Sequence, residues 1–188
     1  HTGSLVILDA KRGDIGSTAE AYAHAFLDED QPMAADALTV SPYLGFGSLK
    51  PFFSVADDND AGVFVLALTS NPEGPEVQHA VGPDGKTVAQ LILDQLRELN
   101  AGAPGGGSFG AVVGATVGAI DADIDINGPI LVPGFGAQGG TIEDLQRLFG
   151  HVSDQVIPSS SRGVLALGPD PKAMRDEAAR LNELLRSL

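Results

Sequence analysis

Cysteine is absent from the 188 residues, which excludes a disulfide framework, a thiolate zinc site and a cysteine nucleophile, and suits a reducing cytosol. Basic residues are scarce, 11 against 25 acidic ones, for a net charge of −14. That balance repels nucleic acid and anionic membrane surfaces, so neither is an expected partner. Long apolar runs are missing as well. His1 to Ser4 lead into four apolar residues, Leu5 to Leu8, too short for the core of a signal peptide, and no stretch approaches the ~20 residues of a membrane span. The four histidines, His1, His24, His79 and His151, are dispersed with no pair at metal-ligand spacing, so no metal site is expected. These exclusions leave a soluble, cytoplasmic chain whose length and 43% hydrophobic content suit one domain over residues 1–188.

Short β-branched runs alternate with amphipathic segments, as in a parallel α/β fold. The pattern predicts strands over Leu5 to Leu8, Ala37 to Val40, Val63 to Leu68, Ala111 to Val113, Ile130 to Val132 and Gln155 to Ile157. Helices are predicted over Ser17 to Leu27, Thr87 to Asn100, Ile142 to Phe149 and Lys172 to Leu188, where apolar residues recur near a 3.6 period. Ser17 with Glu20 has the form of a capping box, and Thr141 precedes Glu143 and Asp144 at a second helix start. Ala101 to Ser108 is rich in glycine and reads as a flexible surface loop within the domain. Six strand-helix units fit either an open doubly wound sheet or a TIM (β/α)8 barrel, usually ~250 residues long, from which two units are missing. Because the chain enters a strand almost at once and does not begin with methionine, the expectation is a barrel represented by strands 3 to 8 with their helices.

The charged residues cluster where the first apolar run stops. Asp9 and Lys11 stand two positions apart and point to the same side of a strand, and Asp14 follows. The C-terminal ends of barrel strands carry catalytic groups, and a lysine between two carboxylates keeps its charge and can donate a proton. Spacing alone also fits a solvated loop of mixed charge. Two glycine-bearing loops after the last strands, with Gly134, Gly136, Gly139 and Gly140 in one and Arg162 in the other, are where barrels bind phosphate, through close-approaching amides and a guanidinium fork. Gly85-Lys86-Thr87 lacks the upstream glycine of a nucleotide-binding loop, since Ala80 stands there, and reads as a turn and helix start. Asp121, Asp123 and Asp125 lack the glycine and final glutamate of a calcium loop, and read as solvated.

Asp9-Ala10-Lys11-Arg12-Gly13-Asp14-Ile15 resembles the Asp-x-Lys-x-x-Asp-Ile signature of the orotidine monophosphate decarboxylase family. Further matches follow in order: Ser41-Pro42-Tyr43-Leu44-Gly45, Thr69-Ser70-Asn71-Pro72, Pro133-Gly134-Phe135-Gly136-Ala137-Gln138-Gly139-Gly140, and Ser160-Ser161-Arg162. The wording is most similar to the longer bacterial form of the family, and the resemblance covers nearly the whole chain. It implies a cofactor-free and metal-free decarboxylation of orotidine 5′-monophosphate to uridine 5′-monophosphate, in pyrimidine biosynthesis. Lys11 would protonate C6 of the pyrimidine and Asp9 would sit against the departing carboxylate. Asp14 and Thr18 would contact the ribose held by the other subunit of a homodimer whose active sites lie at the interface. Ser70 would hydrogen-bond the pyrimidine, Gln138 and Arg162 would hold the phosphate, and Pro133 and Gly139 would line the substrate's site. The family's aspartate on its first strand and lysine on its second have no counterpart here. Metal-dependent sugar-phosphate decarboxylases and synthases of the same superfamily share the Asp-x-Lys-x-x-Asp motif and form the rival reading, beside a catalytically silent phosphate-binding fragment.

Overall fold

In the computed structural model, which describes residues 3–118, 120–136, 139–186 and 188, six strands form one parallel sheet. They are β1 (Ile7–Arg12), β2 (Ala37–Val40), β3 (Gly62–Leu68), β4 (Phe109–Val113), β5 (Ile130–Pro133) and β6 (Val156–Ser159). Each strand pairs with the next in chain order, so there is no point at which the strand order reverses, as a doubly wound sheet requires. A sheet laid down in strict order by right-handed crossovers curls toward a barrel. Ala37, Phe64 and Val112 are buried together on one face with Ile7, Leu66 and Leu131 against them, so that five neighbouring strands share an apolar inner face. The larger core lies on the other face, under the helices. This is a partial TIM barrel.

The helices are α1 (Gly16–Leu27), α2 (Lys50–Asp58), α3 (Pro75–Gln78), α4 (Val88–Leu99), α5 (Ile142–Phe149), α6 (Arg162–Leu165) and α7 (Pro171–Leu185). The Thr141 start is the one its sequence announced: its hydroxyl accepts from the Asp144 amide and the Asp144 carboxylate accepts from the Thr141 amide. Ser17 is different. The helix begins at Gly16, Ile15 holds the cap position without a side-chain bond, and the Ile15 amide is taken by Asp14 at 2.8 Å. The cap thus stands two positions earlier than the Ser17–Glu20 pattern predicts. Helix α2, absent from the sequence reading, starts with Pro51 in its first turn, where the missing N–H costs nothing, and buries Phe52, Phe53, Val55 and Ala56.

The crossover between β4 and β5 contains no helix among the described residues. Its covering is done by Ile124 and Ile126, both fully buried. Arg97 on α4 fixes that segment by donating to the carbonyls of Asp125 at 2.6 Å and Asp123 at 3.2 Å, and by pairing with the Asp123 carboxylate at 2.8 Å. Asp123 and Asp125 are therefore organised rather than merely solvated. The glycine-rich loop is also built. The buried Asn100 amide donates to the carbonyls of Phe109 and Ile126 and accepts from the Phe109 amide. A Cβ at Gly107 or Gly128 would come within 2.1 or 2.4 Å of that side chain, so glycine at both places makes room for it.

Candidate active site

The strand that carries the charged motif is longer than its apolar run. It was expected to end at Leu8, but β1 continues through Asp9 and Lys11 to Arg12. The carbonyl of Arg12 still accepts from the Ser41 amide at 2.7 Å. Leu8 pairs with Leu38 and Arg12 with Val40, so four steps along β1 match two along β2, and the extra length bulges. Within the bulge Lys11 has φ +48°, a left-handed conformation uncommon outside glycine. Gly13 follows because a Cβ there would lie 2.6 Å from the Ser41 carbonyl oxygen.

The bulge turns both charged side chains toward one cavity. Lys11 Nζ lies 2.6 Å from Asp9 Oδ1. Thr39, fully buried on β2, donates its hydroxyl to the same Asp9 oxygen at 2.9 Å and accepts from the Lys11 main-chain amide at 3.0 Å. Partial burial raises the Asp9 pKa, but the hydrogen bonds from Lys11 and Thr39 and the Lys11 charge outweigh it and hold the carboxyl below its ordinary value. The cavity, about 680 Å³, has an apolar floor of Ile7, Leu66, Val112, Leu131 and Ile157. Its polar rim is formed by Asp9, Lys11, Thr69, Ser70, Asn71, Ser159 and Ser160, with Pro133 beside them. It sits at the C-terminal ends of the strands, where barrels carry their chemistry.

The loop bearing Ser70 is cross-braced. Gln78 on α3 accepts from the Thr69 amide at 3.0 Å and donates to its hydroxyl at 2.7 Å. The Thr69 hydroxyl donates to Asn71 at 2.6 Å, and Asn71 donates to Glu73 at 3.0 Å. Of the residues singled out in the sequence, Asp9, Lys11, Ser70 and Pro133 thus meet in one cavity. Asp14 and Thr18 lie outside its lining, Asp14 bonded to the Ile15 amide and Thr18 exposed on α1. Lys11 pairs with Asp9 and not with Asp14, so it is not placed between two carboxylates as the spacing suggested.

On the far side the correspondence is looser. Arg162 opens α6, exposed, and its guanidinium makes no hydrogen bond or ion pair among the described residues. Gln138 lies outside the described residues. The Gly136, Gly139 and Gly140 amides do not point out to an anion as expected. They donate to the carbonyls of Gly140, Gly136 and Gly134, because the glycines let the loop close on itself. Sequence reasoning missed Thr39 and Gln78, and gave Thr69 and Asn71 no role beyond their place in the Thr69-Ser70-Asn71-Pro72 match. The one signal for Thr39 was a hydroxyl inside an otherwise apolar buried strand, a residue type common in strands for reasons of shape alone.

Residues 1–177 match the orotidine 5′-phosphate decarboxylase / HUMPS family. This chain belongs to that family. An orotidine 5′-phosphate decarboxylase of Nocardioides sp. (strain ATCC BAA-499 / JS614) is 62% identical over 188 residues, covering 98% of this chain and 68% of the relative. One of Streptomyces coelicolor is 58% identical over 186 residues, covering 98% and 67%. The crystal structure of a candidate orotidine 5′-phosphate decarboxylase from Streptomyces avermitilis superposes with a TM-score of 0.96 at 58% identity, covering 98% of this chain and 65% of that one. The chain spans about two thirds of the length of these orotidine 5′-phosphate decarboxylase relatives.

Proposed function

We propose that this chain carries the greater part of an orotidine 5′-phosphate decarboxylase, folded as one incomplete β/α-barrel domain. The observation that carries the reading is the Lys11–Asp9 pair at 2.6 Å on the rim of an apolar-floored cavity, in a chain 62% identical to a relative of that name. In the reaction the bond between C6 and the carboxylate breaks, carbon dioxide leaves, and the electron pair stays on C6. No ring position delocalises that pair, so a cation close by must stabilise it. Lys11 supplies the cation and then the proton, from Nζ to C6. Asp9 holds Lys11 and faces the departing carboxylate. Ser70 meets the pyrimidine.

The phosphate lies toward Pro133, Gln138, Gly139 and Arg162, and the guanidinium of Arg162, without a partner among the described residues, supports this. Asp14 and Thr18, outside the cavity, serve the ribose in the other subunit of a homodimer. The enzyme works in the cytoplasm, on a small nucleotide, without metal or cofactor.

The test is the loss of orotidine monophosphate absorbance. Turnover indifferent to magnesium or a chelator, and reduced by ~10²-fold or more in Lys11→Ala, is the expected result. Turnover unchanged by Lys11→Ala would remove the lysine from the mechanism. Turnover of a sugar phosphate that requires magnesium would favour the metal-dependent branch of the superfamily.

A further inference from the structure

We propose that Thr39 is the positioning residue of this site: its one hydroxyl ties the Asp9 carboxylate to the Lys11 main chain and so decides where the Lys11 ammonium stands. The inference rests on the decarboxylase reading for its effect on turnover.

The argument starts from hydrogen-bond bookkeeping across the bulge. A regular parallel ladder would give the Lys11 amide a main-chain carbonyl on β2. The bulge removes that partner, and the Thr39 hydroxyl oxygen takes its place at 3.0 Å. A hydroxyl that accepts in this way keeps its single hydrogen for another group. Asp9 Oδ1, 2.9 Å away, can only accept, so the direction of both bonds is fixed. The same oxygen of Asp9 receives Lys11 Nζ at 2.6 Å. Thr39, the Lys11 amide, the Lys11 side chain and Asp9 therefore form a closed ring.

Two observations show that the ring is needed. Lys11 keeps φ +48°, a conformation non-glycine residues hold only when their surroundings impose it. Asp9 and Lys11 side chains are otherwise about half exposed, 61% and 48%, where an ion pair by itself is a weak constraint. Thr39 is fully buried on β2, which is paired on both sides, and is flanked by Leu38 and Val40, also fully buried. It is thus the rigid end of the ring. It does not line the cavity, and it acts on substrate only through Asp9 and Lys11.

The variants are Thr39→Val, Thr39→Ala and Thr39→Ser, each checked for unchanged thermal midpoint class and far-UV spectrum against the parent chain. Thr39→Val keeps the branched shape and Thr39→Ala removes the hydroxyl with no added bulk, so one serves if the other does not fold. Misplacing a catalytic group by a fraction of its reach lowers kcat by about ten- to a hundred-fold, and KM should stay within about three-fold because no substrate contact is lost. Thr39→Ser should restore kcat to within about three-fold. Amide exchange at Lys11 should be slow in the parent and Thr39→Ser, and fast in the two variants without hydroxyl.

A parent-like kcat together with a protected Lys11 amide in Thr39→Val and Thr39→Ala would overturn the proposal, as would failure of Thr39→Ser to rescue. If the unmodified chain shows no turnover, the decarboxylase reading fails, and the exchange measurement alone decides: Lys11 protection lost only without the hydroxyl supports the ring, and equal protection in all four chains overturns it.

Discussion

The corner built by β1, β2 and β3 and the corner built by β5 and β6 stand at the same end of one sheet, yet they are held in opposite ways. In the first, polar side chains are bonded to neighbours: Lys11 to Asp9, Asp9 to Thr39, Thr69 to Gln78, Asn71 to Glu73. In the second, the glycine loop bonds to itself and Arg162 holds no partner among the described residues. Helix α7, on the same side, buries none of its residues, whereas α4 buries Ala89, Ile92, Leu93 and Leu96. The difference teaches where preorganisation resides. The groups proposed to act on the reacting atoms are set by the protein before substrate arrives, and the cation proposed for the remote phosphate is left uncommitted. Binding energy gained at the second corner is then available to drive events at the first.

That contrast can be broken most sharply at Arg162. Arg162→Ala should lower kcat/KM by about a hundred-fold or more, because a desolvated phosphate dianion loses its fork of donors. Stability should change by no more than about 0.5 kcal/mol, since the exposed side chain holds no hydrogen bond or ion pair among the described residues. Urea midpoints and steady-state kinetics on the same preparations read both, and equal losses of activity and stability would erase the difference between the corners.

Gln78→Ala is the complementary case. It strips Thr69 of two bonds in a half-buried setting and should cost about 1–3 kcal/mol of stability, with a smaller, several-fold fall in kcat/KM through Ser70. An unchanged urea midpoint would show that the first corner is not braced as its geometry suggests.

The smallest effect is electrostatic. The Asp9 pKa is lowered from 3.8 in the folded chain, so its contribution to stability is present above that value and fades as pH falls through the folded one. With the side chain 61% exposed the effect is screened and modest. Lys11→Ala should move the Asp9 midpoint up toward 3.8 in a carboxyl NMR titration. A midpoint that stays put would assign the shift to Thr39 alone.

Much of the fold was legible because β2 to β5 are mostly apolar, largely buried runs whose length and β-branching speak for themselves. The charged half of β1 was read both as strand alternation that puts Asp9 and Lys11 on one side and as a solvated loop, since no pattern of residues announces a bulge or a left-handed lysine. Helix α2 was missed although Phe52, Phe53, Val55 and Ala56 stand at helical spacing, because nine residues give that period little length in which to repeat. At the site, Asp9, Lys11 and Ser70 were legible through a motif, but Thr39 and Gln78 were not. Their importance comes from what stands across the strand or down the loop, and a single threonine or glutamine does not reveal its partner.

At the opposite end of the sheet, Asn100 and the two glycines that make room for it bind three positions into one inheritance. A side chain added at Gly107 or Gly128 collides with Asn100, and shortening Asn100 first leaves the Phe109 and Ile126 main-chain groups without their partner. No order of single steps avoids an unstable intermediate. The three residues should therefore be kept or lost together as the protein diverges, which makes that corner a slow-changing register of descent quite apart from the chemistry above it.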